Sequence, residues 1–362
     1  MNDAFSRRAD RLAGELATAG PDDSPVDSLL VTNLTNVEYL TGFTGTNGAC
    51  LIGSGSRLFL TDFRYAERAE EIDGWEVRIV SGQWLEGLAG ELAGTVGFED
   101  DQVTVRTANQ LREAASGAEL VEAGGKVELL RRVKDDWEIQ RIAAAASLTD
   151  QLYGLLLERG LTGSTEAELD GWLTGWMRQQ GAEPSFPPIV ASGPNGASPH
   201  AEPGPREIRA GELVTVDMGV RLDGYCSDCT RTFATGAEDS LDDLALEIYE
   251  VTLRANEAGL AAVRAGATGA AIDEVSRAVI REAGYGENFG HGLGHGVGLE
   301  IHEAPRLGPS SKDELIAGEV VTVEPGIYLS GATGVRIEDL VVVGADGVDR
   351  NLSSIPKKLT FA

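Results

Sequence analysis

The sequence predicts an α/β domain followed by a larger α+β domain. Three observations carry that expectation. A chain of 362 residues exceeds what one hydrophobic core usually organises. Its first third alternates strand-like and helix-like runs. Its remainder repeats one arrangement, two helices and then a hairpin, twice over. The expected domains are 1–128 and 129–362.

In the first domain, strand-like runs stand at Leu29–Thr32, Ala49–Ile52, Leu58–Leu60, Val77–Val80 and Val96–Phe98, and helix-like stretches at Tyr65–Glu71 and Thr107–Ala115. A polar, basic stretch from Gly124 to Lys134 reads as a linker. The next helix can be capped by Asp135 or Asp136. Its apolar stripe is Trp137, Ile142, Ala145, Leu148 and Leu152, and Gly160 stops it. Thr165 and Glu168 have the spacing of a capping box for a second helix that ends near Gly181. Leu213–Val220 and Tyr225–Phe233 flank Asp223-Gly224, a two-residue hairpin signal. Two further helices fit Leu241–Val263 and Ala270–Ala283, the latter stopping at Gly284. A second hairpin follows, Val320–Leu329 and Gly334–Val343, around the Gly331–Gly334 turn.

The formal charge is -28, so phosphate backbones and anionic membrane surfaces are repelled, and neither nucleic acid nor membrane is an expected partner. No apolar run has the length of a bilayer span. The opening MNDAFSRRADRL is charged and has no apolar stretch, which is unlike a secretion signal. The cysteines are Cys50, Cys226 and Cys229, a number and usage that fit a reducing compartment. The expected location is the cytoplasm.

The chemistry gathers in the second domain. All four histidines, His200, His291, His295 and His302, lie there. With Asp223-Gly224 as the loop, Gly219 stands opposite Asp228, and Asp217 becomes a diagonal neighbour of Asp228 on one sheet face. Two carboxylates so placed can share cations, or they can sit on the solvent face; the alternation of Val214, Val216 and Met218 with Thr215 and Asp217 fits both. The second hairpin offers Glu324 and Glu338. Pro325 interrupts its ladder and leaves the register open. A salt bridge to Arg336 is an alternative role for Glu338. Between the hairpins, glycine at every second position from Gly290 to Gly298 lets backbone approach a site closely. That stretch follows a helix, so it is not a dinucleotide fingerprint. Four carboxylates and one imidazole suit manganese, cobalt, iron or zinc, and four negative charges balance two divalent ions.

The stretches TVDMGV, GYCSDCTRTF, GHGLGHGVGLEIHE, VVTVEPGIY and GVRIEDL, together with TNLTNVEYLTGFTGTNGACLI and LTDFRY, resemble the pita-bread metallopeptidases, specifically the Xaa-Pro peptidases (aminopeptidase P and prolidase). The resemblance spans nearly the whole chain. It implies a pita-bread catalytic domain over 129–362 behind a creatinase-like α/β domain over 1–128. It implies two divalent ions, manganese foremost, on Asp217, Asp228, His295, Glu324 and Glu338, with Asp228 and Glu338 bridging. By the same resemblance, Glu324 would take the proton of the attacking water and His302 would steady the tetrahedral intermediate. His200 and His291 would contact substrate, and Tyr328 and Arg336 would support. The implied substrate is a proline-containing peptide. The resemblance also implies a homodimer whose N-terminal domains help close the pocket.

Other readings are weaker. An inactive binding protein or a metal-free amidinohydrolase on this fold would be expected to lack ligands, and none is missing. The long N-terminal domain argues against a methionine aminopeptidase. Cys226 and Cys229 form a CxxC, yet strand positions three apart point to opposite faces. Between a dipeptidase and an aminopeptidase that takes longer peptides, the compact chain favours the dipeptidase. A dipeptidase needs a cation for the free carboxylate, and Arg336 and protonated His291 are the candidates within the motifs.

Overall fold

A computed structural model describes residues 2–16, 25–82, 84–88, 90–115, 117–237 and 239–362. The chain divides into two compact units, one ending at Arg131 and the other beginning at Arg132.

The first unit is a six-stranded mixed sheet. Its strands are β1 (Ser28–Val31), β2 (Ala49–Gly53), β3 (Ser56–Asp62), β4 (Glu76–Val80), β5 (Gly94–Phe98) and β6 (Ala118–Glu122), in the order β4-β3-β2-β1-β5-β6. The helices are α1 (Asn2–Leu16), α2 (Leu34–Thr41), α3 (Ala66–Ala69) and α4 (Val105–Ala114). The sequence reading omitted α1, α2 and β6. Local signals for α2 were present, since Asn33 caps it and Gly42 ends it at φ 77°. The stretch expected to be a linker instead holds a short helix, α5 (Lys126–Arg132).

The second unit follows the expected double arrangement. Helices α6 (Asp136–Arg159) and α7 (Glu166–Gln179) precede one hairpin, and α8 (Asp243–Ala262) and α9 (Gly269–Glu282) precede the other. Asp135 and Glu138 close a capping box on α6, and Thr165 and Glu168 close one on α7. The remaining strands are β7 (Glu183–Pro184), β8 (Ile189–Ser192), β9 (Leu213–Met218), β10 (Val220–Leu222), β11 (Tyr225–Cys226), β12 (Cys229–Ala234), β13 (Gly294–Gly296), β14 (Glu303–Leu307), β15 (Val320–Val323), β16 (Gly326–Leu329), β17 (Thr333–Arg336), β18 (Asp339–Val343) and β19 (Val348–Asn351). Asp223 at φ 49° and Gly224 at φ 87° make the tight turn that the dipeptide predicts.

Each core packs a helix pair against a hairpin. Leu152, Tyr153 and Leu156 of α6 and Leu169 and Leu173 of α7 pack with Val214, Val216 and Phe233. Ile248 and Ala255 of α8 and Ile272 and Ile280 of α9 pack with Val321, Val323 and Val341. The sequence predicts four long hairpin strands. Each is interrupted once: β9 gives way to β10 at Gly219, β11 to β12 near Asp228, β15 to β16 at Glu324-Pro325, and β17 to β18 at Ile337-Glu338. Three of those interruptions contain candidate ligands, Asp228, Glu324 and Glu338.

Candidate metal centre

Both hairpins keep one register across their breaks. In the first, Asp217 faces Thr230 and Arg221 faces Cys226, so Asp228 stands opposite Gly219 as the turn dictates. Only glycine fits there, because a Cβ on residue 219 would lie 1.9 Å from the Ser227 carbonyl oxygen. The Val220 amide donates to Ser227 Oγ at 2.9 Å. In the second hairpin Val323 faces Asp339 and Gly326 faces Arg336, which sets Glu324 opposite Glu338. The register that Pro325 left open in the sequence is therefore continuous. The Glu338 amide donates to the Thr230 carbonyl at 3.1 Å, tying one break to the other.

Asp217, Asp228 and Glu338 each present a carboxylate oxygen, and these three oxygens lie within 4.8 Å of one another. His295 Nε2 lies 3.7 Å from Asp228 Oδ2 and 3.3 Å from Glu324 Oε1. Asp217, Asp228, His295 and Glu338 are buried, so the solvent-face alternative for the first hairpin does not hold. Nor does the Arg336–Glu338 pair: Arg336 reaches Asp217 Oδ2 at 2.7 Å, and Glu338 Oε2 accepts from Thr230 Oγ1 at 2.7 Å. Cys226 and Cys229 are free buried thiols aimed at different carbonyls, those of Leu299 and Glu338.

Two imidazoles have one ring nitrogen fixed by a carbonyl. His295 Nδ1 lies 3.1 Å from the Gly296 carbonyl, and His291 Nδ1 lies 2.8 Å from the Gly292 carbonyl. A carbonyl only accepts, so Nδ1 carries a proton in each. The other nitrogen of His295, Nε2, faces Asp228 and Glu324. In His291, Nε2 accepts from the Tyr328 hydroxyl at 2.8 Å, while Tyr328 in turn accepts from Arg336 Nη1 at 2.9 Å. His302 stacks edge-on against His295 with ring centroids 4.4 Å apart. His200 is exposed to solvent.

Charge crowding shapes the protonation states. Burial, then Glu338 and Asp217, push the Asp228 carboxyl well above the carboxylate range. Burial and the nearby carboxylates do the same to Glu338. Burial also raises Asp217, with Arg336 opposing. Burial would raise Glu324 too, but the hydrogen bond and charge of His295 outweigh it and hold that carboxyl low. Loss of hydration, then the charge of His295, brings His302 down to about 4. Burial likewise lowers His291. Neither candidate for a carboxylate clamp is therefore a free cation: Arg336 is committed to Asp217, Tyr328, Thr230 and the Pro199 carbonyl, and His291 favours its neutral form.

These residues suit divalent cations. Asp217 Oδ1 and Glu338 Oε1 are buried with no hydrogen-bond partner. An unpaired buried carboxylate oxygen is costly, and a bound cation removes that cost. The oxygen-rich donor set with one imidazole is of a kind that divalent ions take.

The network behind the donors escaped the sequence reading. Tyr153 and Asn256 lie inside helices, where their types give no signal of a role in the sheet.

Residues 140–345 match Metallopeptidase family M24, and residues 8–133 match the creatinase/prolidase N-terminal domain. An uncharacterized peptidase of Bacillus subtilis is 39% identical over 92% of this chain and 95% of its own length. A solved structure of a Xaa-Pro dipeptidase from Bacillus anthracis superposes with a TM-score of 0.91 at 38% identity, covering 100% of both chains. The X-Pro aminopeptidase of Thermotoga maritima superposes with a TM-score of 0.88 at 33% identity, covering 98% of this chain and 100% of that one.

Proposed function

The chain belongs to Metallopeptidase family M24 and has its pita-bread fold behind a creatinase-type N-terminal domain, and from that premise we propose that it hydrolyses the peptide bond between an N-terminal residue and a following proline. One observation carries the reading: three buried carboxylates converge within 4.8 Å, and two of them have an oxygen with no partner. Asp217, Asp228, His295, Glu324 and Glu338 would hold two divalent cations, manganese foremost. When bound, such a pair lowers the pKa of a water and polarises the scissile carbonyl.

The chain's own residues do the rest. Glu324, held ionised by His295, is suited to accept the proton of the attacking water. His302, neutral near pH 7 and beside His295, can donate a hydrogen bond to the oxyanion of the tetrahedral intermediate. The bond before proline is a tertiary amide, and its leaving nitrogen needs a proton. Glu324 can return the one it took, while His200 and His291 contact the substrate. Arg336 and Tyr328 orient Asp217 and His291 through their hydrogen bonds. A cytoplasmic homodimer belongs to the same proposal, with sedimentation as the check on its assembly.

The test is chelation followed by metal return. Activity on Ala-Pro should vanish in chelator and come back with manganese, cobalt or zinc, whereas full activity in a metal-free preparation would sink the reading. Substituting alanine for proline in the substrate should make it poor. A dipeptidase is the leading reading of chain length. The second reading, preference for longer peptides, is favoured by the commitment of Arg336 and His291 to internal partners. Rates on Ala-Pro, Ala-Pro-Ala and a longer Xaa-Pro peptide at equal concentration separate the two.

A further inference from the structure

The second hairpin leaves a backbone acceptor stranded. Ile337 N donates to the Pro325 carbonyl at 3.4 Å. In an antiparallel ladder such a pair exchanges two bonds, but proline has no N–H to return to the Ile337 carbonyl. Asn256, in the middle of α8 and fully buried, fills that place. Its Nδ2 donates to the Ile337 carbonyl at 3.2 Å and to the Val323 carbonyl at 2.9 Å. Those carbonyls belong to the residues immediately before Glu338 and Glu324. One amide thus links the two strands at the break, one residue before each glutamate.

The amide is itself oriented. Lys357 Nζ donates to Asn256 Oδ1 at 2.8 Å and pairs with Asp339 Oδ2 at 2.7 Å, while Arg231 holds the other Asp339 oxygen at 2.8 Å. A lysine can only donate, so the carbonyl end of the amide faces it and the NH2 faces the hairpin. The first hairpin has a counterpart. Tyr153 of α6 reaches the Val216 and Cys229 carbonyls at 2.8 Å each, next to Asp217 and Asp228. Tyr153 and Asn256 occupy equivalent places, each seven residues before the cap that ends its helix, Gly160 or Val263.

We propose that Asn256 is a positioning residue for the metal pair: it supplies the donor that Pro325 lacks and so fixes Glu324 against Glu338, with Lys357 setting its direction. This rests on the metallopeptidase reading. The residue touches neither substrate nor any liganding atom, so its effect should appear in metal affinity before it appears in turnover. Asn256→Leu keeps the γ-branched shape, in a somewhat larger side chain, and removes both donors.

The experiment titrates manganese into the metal-free full-length protein by calorimetry and records the melting temperature with and without manganese. The proteins compared are wild type, Asn256→Leu, Lys357→Met and Val251→Ala. The last is a packing control, since Val251 is buried on the same helix. The expected result is a fall in affinity of about tenfold or more for Asn256→Leu, the range usual when a group supporting a ligand is removed. A smaller fall is expected for Lys357→Met and none for Val251→Ala, even where the metal-free melting temperatures of Asn256→Leu and Val251→Ala drop alike. Wild-type affinity in a folded Asn256→Leu would overturn the proposal. If Asn256→Leu does not fold, Lys357→Met decides: lowered affinity supports it, and wild-type affinity overturns it. Failure of wild type to bind manganese would instead sink the metal reading beneath it.

Discussion

At the residue scale, ligand and helper should come apart in experiment. Asp228 is buried among Asp217, Glu338 and His295, and in the function proposed above its charge helps to balance two cations. Asp228→Asn should therefore lose metal, measured by elemental analysis of the purified variant. His302 stacks on a donor without being one, so His302→Ala should keep its metal and lose about 10²–10³ in kcat, the usual cost of removing an oxyanion contact. Equal metal loss in both variants would refute that division of roles. Acid should act through the crowded carboxylates. Asp228 and Glu338 are raised and so hold protons that a cation must displace, and manganese affinity should climb as pH rises through the acid range. The linkage sign follows. A carboxyl raised in the fold binds more protons than in the unfolded chain, so its burial penalises the metal-free protein increasingly as pH rises above about 4, its unfolded value. Melting of the metal-free protein against pH checks this, and a flat profile would contradict it. What was legible in the sequence at this scale was residue type and order: five donors in matching motifs, and Asp228 opposite Gly219 from the turn alone. What was not legible was commitment. No spacing rule says that Arg336 spends its guanidinium on Asp217 and leaves Glu338 to Thr230.

At the element scale, the site depends on strands that stop. Helix ends were readable because caps are local: an aspartate at 135 or 136, Thr165 with Glu168, and Gly160 each act within a few residues, and the fold selects Asp135. The interruptions were not, because they are decided across strands. Gly219 is required by the Ser227 carbonyl on the opposite strand, a contact with no signature along the chain. Gly219→Ala should accordingly force the two strands apart, with a loss of about 1–3 kcal/mol in urea unfolding, typical of overpacking, and weaker manganese binding. Unchanged stability would mean that the hairpin adapts freely. A second tie holds the loop that carries His200. Glu166, fully buried at the start of α7, accepts from Ser192 N at 2.8 Å, from Asn195 Nδ2 at 2.9 Å and from Gly204 N at 3.3 Å. Glu166→Ala should loosen that loop and raise KM for Xaa-Pro peptides more than it lowers kcat, which steady-state kinetics would detect.

At the scale of the whole molecule, the charge of -28 is spread over a chain in which no helix, among the described residues, is long and apolar enough to cross a membrane. Such a field attracts cations and repels anions over a distance set by salt. Lys-Pro should be bound better than Glu-Pro at low ionic strength, and the preference should shrink by several-fold as salt screens the field. KM for both dipeptides at low and high salt tests it; a preference indifferent to salt would assign the discrimination to the pocket instead. The two-halves layout also has a consequence for how this enzyme could be taken apart. Asp217 and Asp228 come from one hairpin, and Glu324 and Glu338 from the other, so neither half owns a complete donor set. Cut in the connection between them, the polypeptide would become two strangers that share a single lock, and manganese would be the key that selects their correct pairing from solution. The ion would then act as an assembly signal, its concentration dictating how much of the split enzyme reunites.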